Sequence, residues 1–244
     1  MHKRTIAAAV LAALPLLAAG TAAAADSPLT ANVALTTDYA YRGISQTDQK
    51  PAVQGGFDYA HASGLYAGVW GSNVSWLRDA ETDSSSGNSL ELDIYGGYKT
   101  TLGPIGLDVG VLQYYYPGRY RSGWKADTGL KSPQTLEGYV GLTWEFLTFK
   151  YSHAFTNLFG TPDSENSKYL DLTAAYDIVE GLTLNAHFGR QYISGPADSY
   201  NDWKVGLTKA IGGVNVGLHY VDTDIDRSVK VAKERVILSV SKTF

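Results

Sequence analysis

Read for period two, the segment from Arg235 places Val236, Leu238, Val240, Lys242 and Phe244 on one face. Arg235, Ile237, Ser239, Ser241 and Thr243 fall on the other. Alternation over some ten residues predicts a strand that crosses a bilayer when tilted. The pattern recurs at Leu170, Leu172, Ala174 and Tyr176 against Asp171, Thr173, Ala175 and Asp177, and at Leu90, Leu92 and Ile94 against Glu91, Asp93 and Tyr95. Twelve such segments are expected, starting near Asn32, Val53, Leu65, Leu90, Ile105, Thr135, Leu147, Tyr169, Leu182, Asp202, Val214 and Arg235.

The connections between them alternate in length. Short ones fall at 61–64, 100–104, 145–146, 178–181 and 211–213, and longer polar ones at 44–50, 74–89, 117–133, 157–167, 194–201 and 222–233. Bacterial outer-membrane barrels have short periplasmic turns and long outer loops in this order. An even strand count puts both ends of the barrel chain on the periplasmic side. The expected fold is all-β, a transmembrane outer-membrane antiparallel β-barrel of about 12 strands.

Ahead of the strands, His2, Lys3 and Arg4 precede an apolar run from Ile6 to Ala19 and a small-residue stretch ending at Ala25. This is the layout of a cleaved signal peptide over 1–25, leaving 26–244 as the barrel. Beyond Ala25 no stretch approaches the roughly 20 apolar residues that a membrane helix needs.

One face must then meet lipid. It holds Leu35, Phe57, Val69, Leu92, Val109, Leu142, Phe149, Leu172, Leu184, Val205, Val216 and Leu238. Its cations, Lys168, Arg190, Lys209 and Lys242, lie near strand ends, where a charge costs about 0 to 1 kcal/mol. Outward aromatics form two girdles, Tyr39, Tyr41, Trp203 and Tyr220 above and Tyr98, Trp144, Tyr176 and Phe244 below. The opposite face collects Asp38, Arg42, Asp58, Glu91, Asp93, Lys99, Asp108, Glu137, Lys150, Asp171, Asp177, His187, Lys204, His219 and Arg235. Such an interior needs water or ion pairing. Twelve strands lie between small barrels filled by side chains and large ones with an open channel.

Composition narrows the chemistry. Cysteine is absent, so an exported domain has no disulfide, thiol catalysis or thiolate metal site. Net charge is −4 with no basic cluster, which argues against nucleic acid as a partner. Gly (26) and Tyr (17) are abundant, as strands and turns require.

The segment from Thr37 to Val74 resembles the opening of the TorF-type porin family, formerly catalogued as a conserved protein of unknown function. The resemblance is carried by Asp38, Tyr39, Arg42, Gly43, Ser45 and Gln46, then by Pro51, Gly55, Gly56, Gly64, Tyr66, Gly68 and the stretch from Trp70 to Val74. It implies porin activity and brings no catalytic residues. Lys242, third from the end, departs from the apolar or aromatic residue that many barrels present to the insertion machinery.

Several constellations have a structural and a functional reading. Arg42 and Asp38 share the inward face, so an ion pair is expected, with a ligand clamp as the alternative. His61 and Ser63 invite comparison with outer-membrane lipid hydrolases, yet they fall in a periplasmic turn, far from lipid at the outer rim. His187 and His219 face inward without a third ligand, so no metal centre is expected. Asp222, Asp224 and Asp226 alternate in an outer loop without the Gly and terminal Glu of a calcium loop. Arg119, Tyr120, Arg121, Trp124 and Lys125 suit either a polar surface loop or lipopolysaccharide phosphates.

The function expected is passive diffusion of small hydrophilic solutes or ions, cation-leaning because inward carboxylates outnumber inward Lys and Arg. The alternatives are a non-conducting structural or surface-interaction barrel and, last, a lipid hydrolase. Expected partners are outer-membrane lipid and lipopolysaccharide, small solutes or ions, and the barrel-insertion machinery, with no cofactor and no enzymatic activity.

Overall fold

The computed structural model describes residues 27–79, 88–118 and 129–244, so the expected signal peptide lies outside the described residues. In chain order the elements are β1 (Leu29–Thr36), β2 (Ala40–Tyr41), β3 (Ile44–Ser45), β4 (Ala52–Ala60), β5 (Leu65–Asn73), α1 (Trp76–Asp79), β6 (Leu90–Leu102), β7 (Ile105–Tyr115), β8 (Thr135–Trp144) and β9 (Leu147–Ala154). They continue with β10 (Lys168–Val179), β11 (Leu182–Tyr192), β12 (Tyr200–Ile211), β13 (Val214–Thr223) and β14 (Arg235–Thr243). All the strands but β2 and β3 join one closed barrel, each antiparallel to its neighbour, with β14 returning to β1. Closure leaves no unpaired sheet edge, which hydrocarbon would penalise by several kcal/mol per bare amide.

The twelve barrel strands start where the alternation places them, within three residues. The outward face is the expected one. Leu35, Phe57, Val109, Leu142, Leu172, Val205 and Leu238 are among its exposed side chains, while Leu92 and Val216 are half-exposed. Its strand-end cations bend toward polar or aromatic partners. Lys209 Nζ donates to the Glu180 carbonyl at 3.2 Å, and Lys242 lies 4.8 Å over the Phe244 ring. Val205 is the sixth of twelve residues in β12 and faces lipid. Val205→Arg should therefore destabilise the barrel in lipid vesicles by about 2–4 kcal/mol. A loss below about 1 kcal/mol in denaturant titration would take Val205 off the midplane.

The girdle expectation needs correction at its outer end. Tyr39 and Tyr41 do not face lipid: Tyr39 is 2% exposed and Tyr41 half-buried, both inside the barrel. The chain leaves the wall after Thr36, so the seven residues 37–43 depart ahead of the loop expected at 44–50. Below, Tyr98, Trp144, Tyr176 and Phe244 are exposed as expected.

Gly and Tyr explain one another on the inner face. Gly68 pairs Tyr95, Gly97 pairs Tyr66 and Gly110 pairs Tyr139 directly across strands. Each ring lies over its glycine so closely that a Cβ there would come within 2.5 Å of a ring atom or the phenol oxygen. Cross-strand aromatic cover of this kind replaces the packing that a bare glycine lacks.

Candidate functional site: the lumen and its internal hairpin

Between β1 and β4 the chain turns into the barrel. β2 and β3 form a two-residue ladder joined by Arg42 and Gly43, both at positive φ (45° and 78°), the geometry of a type I′ hairpin turn. Gly43 presses on the wall at β12 and β13. A Cβ there would sit 2.4 Å from Thr223 Cγ2 and 2.6 Å from Asp202 Cβ, so neither its backbone angle nor its space admits a side chain.

Inside the lumen, Arg42 is 8% exposed. It donates to Glu137 Oε2 at 2.7 Å and to Gln191 Oε1 at 2.8 Å, and its guanidinium lies 4.3 Å over the Tyr169 ring. The expected Arg42–Asp38 ion pair is thus not formed. Asp38 pairs with Arg235 of β14 instead and accepts from Ser45 Oγ and Thr47 Oγ1. The tight turn carries Arg42 away from Asp38 and across to β8 and β11.

Neighbouring loops pack on the hairpin. The backbone N–H of Ser75 donates to the Gln46 carbonyl at 2.8 Å, and the Phe159 ring meets Tyr41 and Tyr114 edge-on at 5.6 and 5.1 Å. Tyr39 and Tyr116 donate to the two oxygens of Glu91, at 2.6 and 2.7 Å. Aromatic rings therefore fill the lumen's outer end on the β4–β8 side.

Outside the barrel wall, Asp48 accepts from Lys230 at 2.6 Å and lies 3.1 Å from Lys50, clasping the first outer loop to the last. The hydrogen bonds from Lys230 and then Lys50 hold its carboxyl below the ordinary carboxylate value. A lowered folded pKa means that the clasp is whole above the pH where a free aspartate titrates, about 4, and is lost as pH falls through the lower folded value. Amide exchange at 231–233, corrected for its intrinsic rate, should stay flat down to that range and rise below it. Asp48→Asn should show the faster exchange above that range, the two profiles converging below it; identical profiles throughout would remove the clasp.

Most of the other inward charges also find partners. Asp58 accepts from Tyr95, and Asp108 accepts from Tyr66 at 2.5 Å with Lys99 3.8 Å away. Lys150 lies 3.8 Å over the Tyr139 ring. His187 bridges Asp202 at 2.8 Å and Asp171 at 3.3 Å. Asp93 is 2% exposed with one carboxylate oxygen unpartnered, and Asp177 is exposed at the periplasmic end. His219 is buried and Lys204 half-buried, both facing a cavity beneath the hairpin. Sequence reasoning missed Asp202, which sits at the start of β12 between Tyr169 and His187.

The remaining candidates are local. His61 Nδ1 and Ser63 Oγ are 2.8 Å apart within the exposed β4–β5 turn, where Ser63 N–H also donates to the ring. Asp222 pairs with Arg227, Asp224 accepts from Asn201, and Asp226 accepts from the Ser228 N–H. Arg119, Tyr120, Arg121, Trp124 and Lys125 lie outside the described residues.

Residues 21–244 match the family described as bacterial protein of unknown function (Gcw_chp). No curated protein matches the sequence. Among solved structures, the KdgM porin is 8% identical with a TM-score of 0.56, over 88% of this chain and 99% of its own. An outer-membrane channel from Pseudomonas putida F1 is 15% identical with a TM-score of 0.53, over 91% and 97%. The NanC porin is 11% identical with a TM-score of 0.51, over 88% and 98%. The fold is that of outer-membrane β-barrels, and its continuous apolar band places it in the outer membrane.

Proposed function

This chain belongs to the Gcw_chp family of bacterial proteins, and we propose that it is a narrow channel for passive diffusion of small hydrophilic solutes or ions. The observation that carries this is the lumen beneath the hairpin: a cavity of about 80 Å³ into which Asp38, Gln54, Lys204, His219, Ser239 and Ser241 bring polar groups among apolar Ala34, Val221 and Ile237. A sealed structural barrel has no need to keep charged and amide groups beside empty space. The resemblance of residues 37–74 to TorF-type porins points the same way, as do the porins among the structural neighbours. The inward charged residues named above are assigned as the lining, with the hairpin as the constriction. No catalytic role is assigned to any of them.

Cation preference does not follow simply from the count of inward carboxylates. Asp38, Glu137 and Asp108 each face a cation, Glu91 is held by two tyrosine hydroxyls, and Asp171 and Asp202 share His187. Ion preference is set instead by the groups beside the open space.

A non-conducting barrel is the second reading. It is favoured by Tyr39, Tyr114 and Tyr116, all under 3% exposed, at the outer end. Planar bilayers separate the two. Purified protein that shows a heat-sensitive electrophoretic shift should give discrete conductance steps; folded protein that leaves the bilayer silent overturns the channel and leaves the sealed barrel.

A further inference from the structure

Among the described inward cations, Arg42, Lys99 and Arg235 have carboxylate partners and Lys150 has a tyrosine ring. Lys204 has neither. Asp171 and Asp202 attract it only from beyond contact distance, and both pair with His187. A half-buried ammonium that faces a cavity with no counter-charge in contact is free to receive an anion there.

The same cavity wall holds other unused groups. His219 is 7% exposed and its Nε2 has no partner. Its ring lies over two glycines, since a Cβ at Gly206 or Gly217 would come 2.6 or 2.7 Å from ring carbons. The hydroxyls of Ser239 and Ser241 line the cavity and make no hydrogen bond within the described protein. Asn32 Oδ1, one pleat below cavity-lining Ala34 on β1, is also unpartnered. Asp38 lines the cavity too, but both its oxygens are engaged, by Arg235 and by Ser45 and Thr47. An ammonium without a contacting partner, spare hydroxyls and an orphaned imidazole thus share one wall, opposite the tyrosine-filled side.

We infer that this cavity binds a small hydroxylated carboxylate, its carboxylate on Lys204 and its hydroxyls on Ser239, Ser241 and His219. A space of about 80 Å³ admits on the order of half a dozen water-sized groups, the size of a two- to four-carbon hydroxy acid. The inference deepens the channel proposal and rests on it only for the anion's way in. On the open side of the lumen, conductance then leans toward anions.

The probe is D-glycerate, with acetate lacking the hydroxyls and glycerol lacking the charge. Calorimetry on the detergent-solubilised barrel should show binding in the order glycerate, acetate, glycerol. Lys204→Gln should weaken glycerate by at least about tenfold, as loss of one charge-assisted hydrogen bond implies. His219→Gln and Ser239→Ala should weaken it less, with the heat-sensitive shift showing that each variant folds. In bilayers, glycerate should reduce the chloride current of the wild type and not of Lys204→Gln. Binding without conductance upholds the site and removes the channel. Conductance without glycerate binding, equal binding of glycerol, or a cation-selective current unmoved by Lys204→Gln each overturns the site.

Discussion

Arg42→Ala is expected to lower the stability of the barrel by about 3–5 kcal/mol, the cost of stranding a buried charge. Glu137 is 3% exposed and loses its ion-pair partner, while Gln191 loses its donor and the Tyr169 ring its guanidinium cover. Most of the loss is the desolvated carboxylate left behind. The double substitution Arg42→Ala with Glu137→Gln should therefore recover part of it, whereas two independent groups would give additive losses. Lys at position 42 keeps the charge but cannot reach Glu137 and Gln191 together, so it should fall between. Denaturant midpoints of the protein in detergent, with Glu137→Gln alone as the fourth variant, measure all of them. A loss under about 1 kcal/mol for Arg42→Ala would mean that solvent reaches Glu137 and that the hairpin is not seated as described.

Excising the hairpin should raise single-channel conductance several-fold. Thr36 and Ala52 are paired across β1 and β4, so residues 37–51 are not needed to connect the strands. A two-residue Asn-Gly turn closes the same pair. What is removed is the segment carrying Tyr39, Tyr41 and Arg42 into the lumen, together with the surface that Phe159 and the 75–76 backbone pack on. The barrel wall keeps its register. Unchanged conductance in the shortened protein would move the constriction elsewhere.

The barrel was legible in the sequence because lipid imposes a period of two on every strand and export imposes alternating loop lengths. Strand starts, the lipid face and the inward charges all follow from that rule. The hairpin did not, because Asp38, Tyr39, Tyr41 and Arg42 continue the alternation of β1 in register after the chain has left the wall. The available sign was local: Tyr41-Arg42-Gly43-Ile44 has the two-residue loop with glycine second that marks a tight hairpin. Ion partners were equally hidden, since Arg42 to Glu137 and Asp38 to Arg235 span distances along the chain that periodicity does not relate. Inward charge was visible; which charge answers which depends on where one turn aims. Asp202 was missed for a simpler reason, being a strand's first residues and read as a boundary.

The junction of β1 with β14 has five paired positions, from Asn32 with Thr243 to Thr36 with Ser239, against eight between β1 and β4. It is also where the two extremities of the folded polypeptide meet, as in the bond from Leu238 N–H to Thr37 Oγ1. Every other seam is stitched by residues that follow one another closely, so this one carries the largest entropy of ring closure. Assembly should zip from hairpin to hairpin and shut here last, and deuterium should enter the β14 amides before those of β10 or β11.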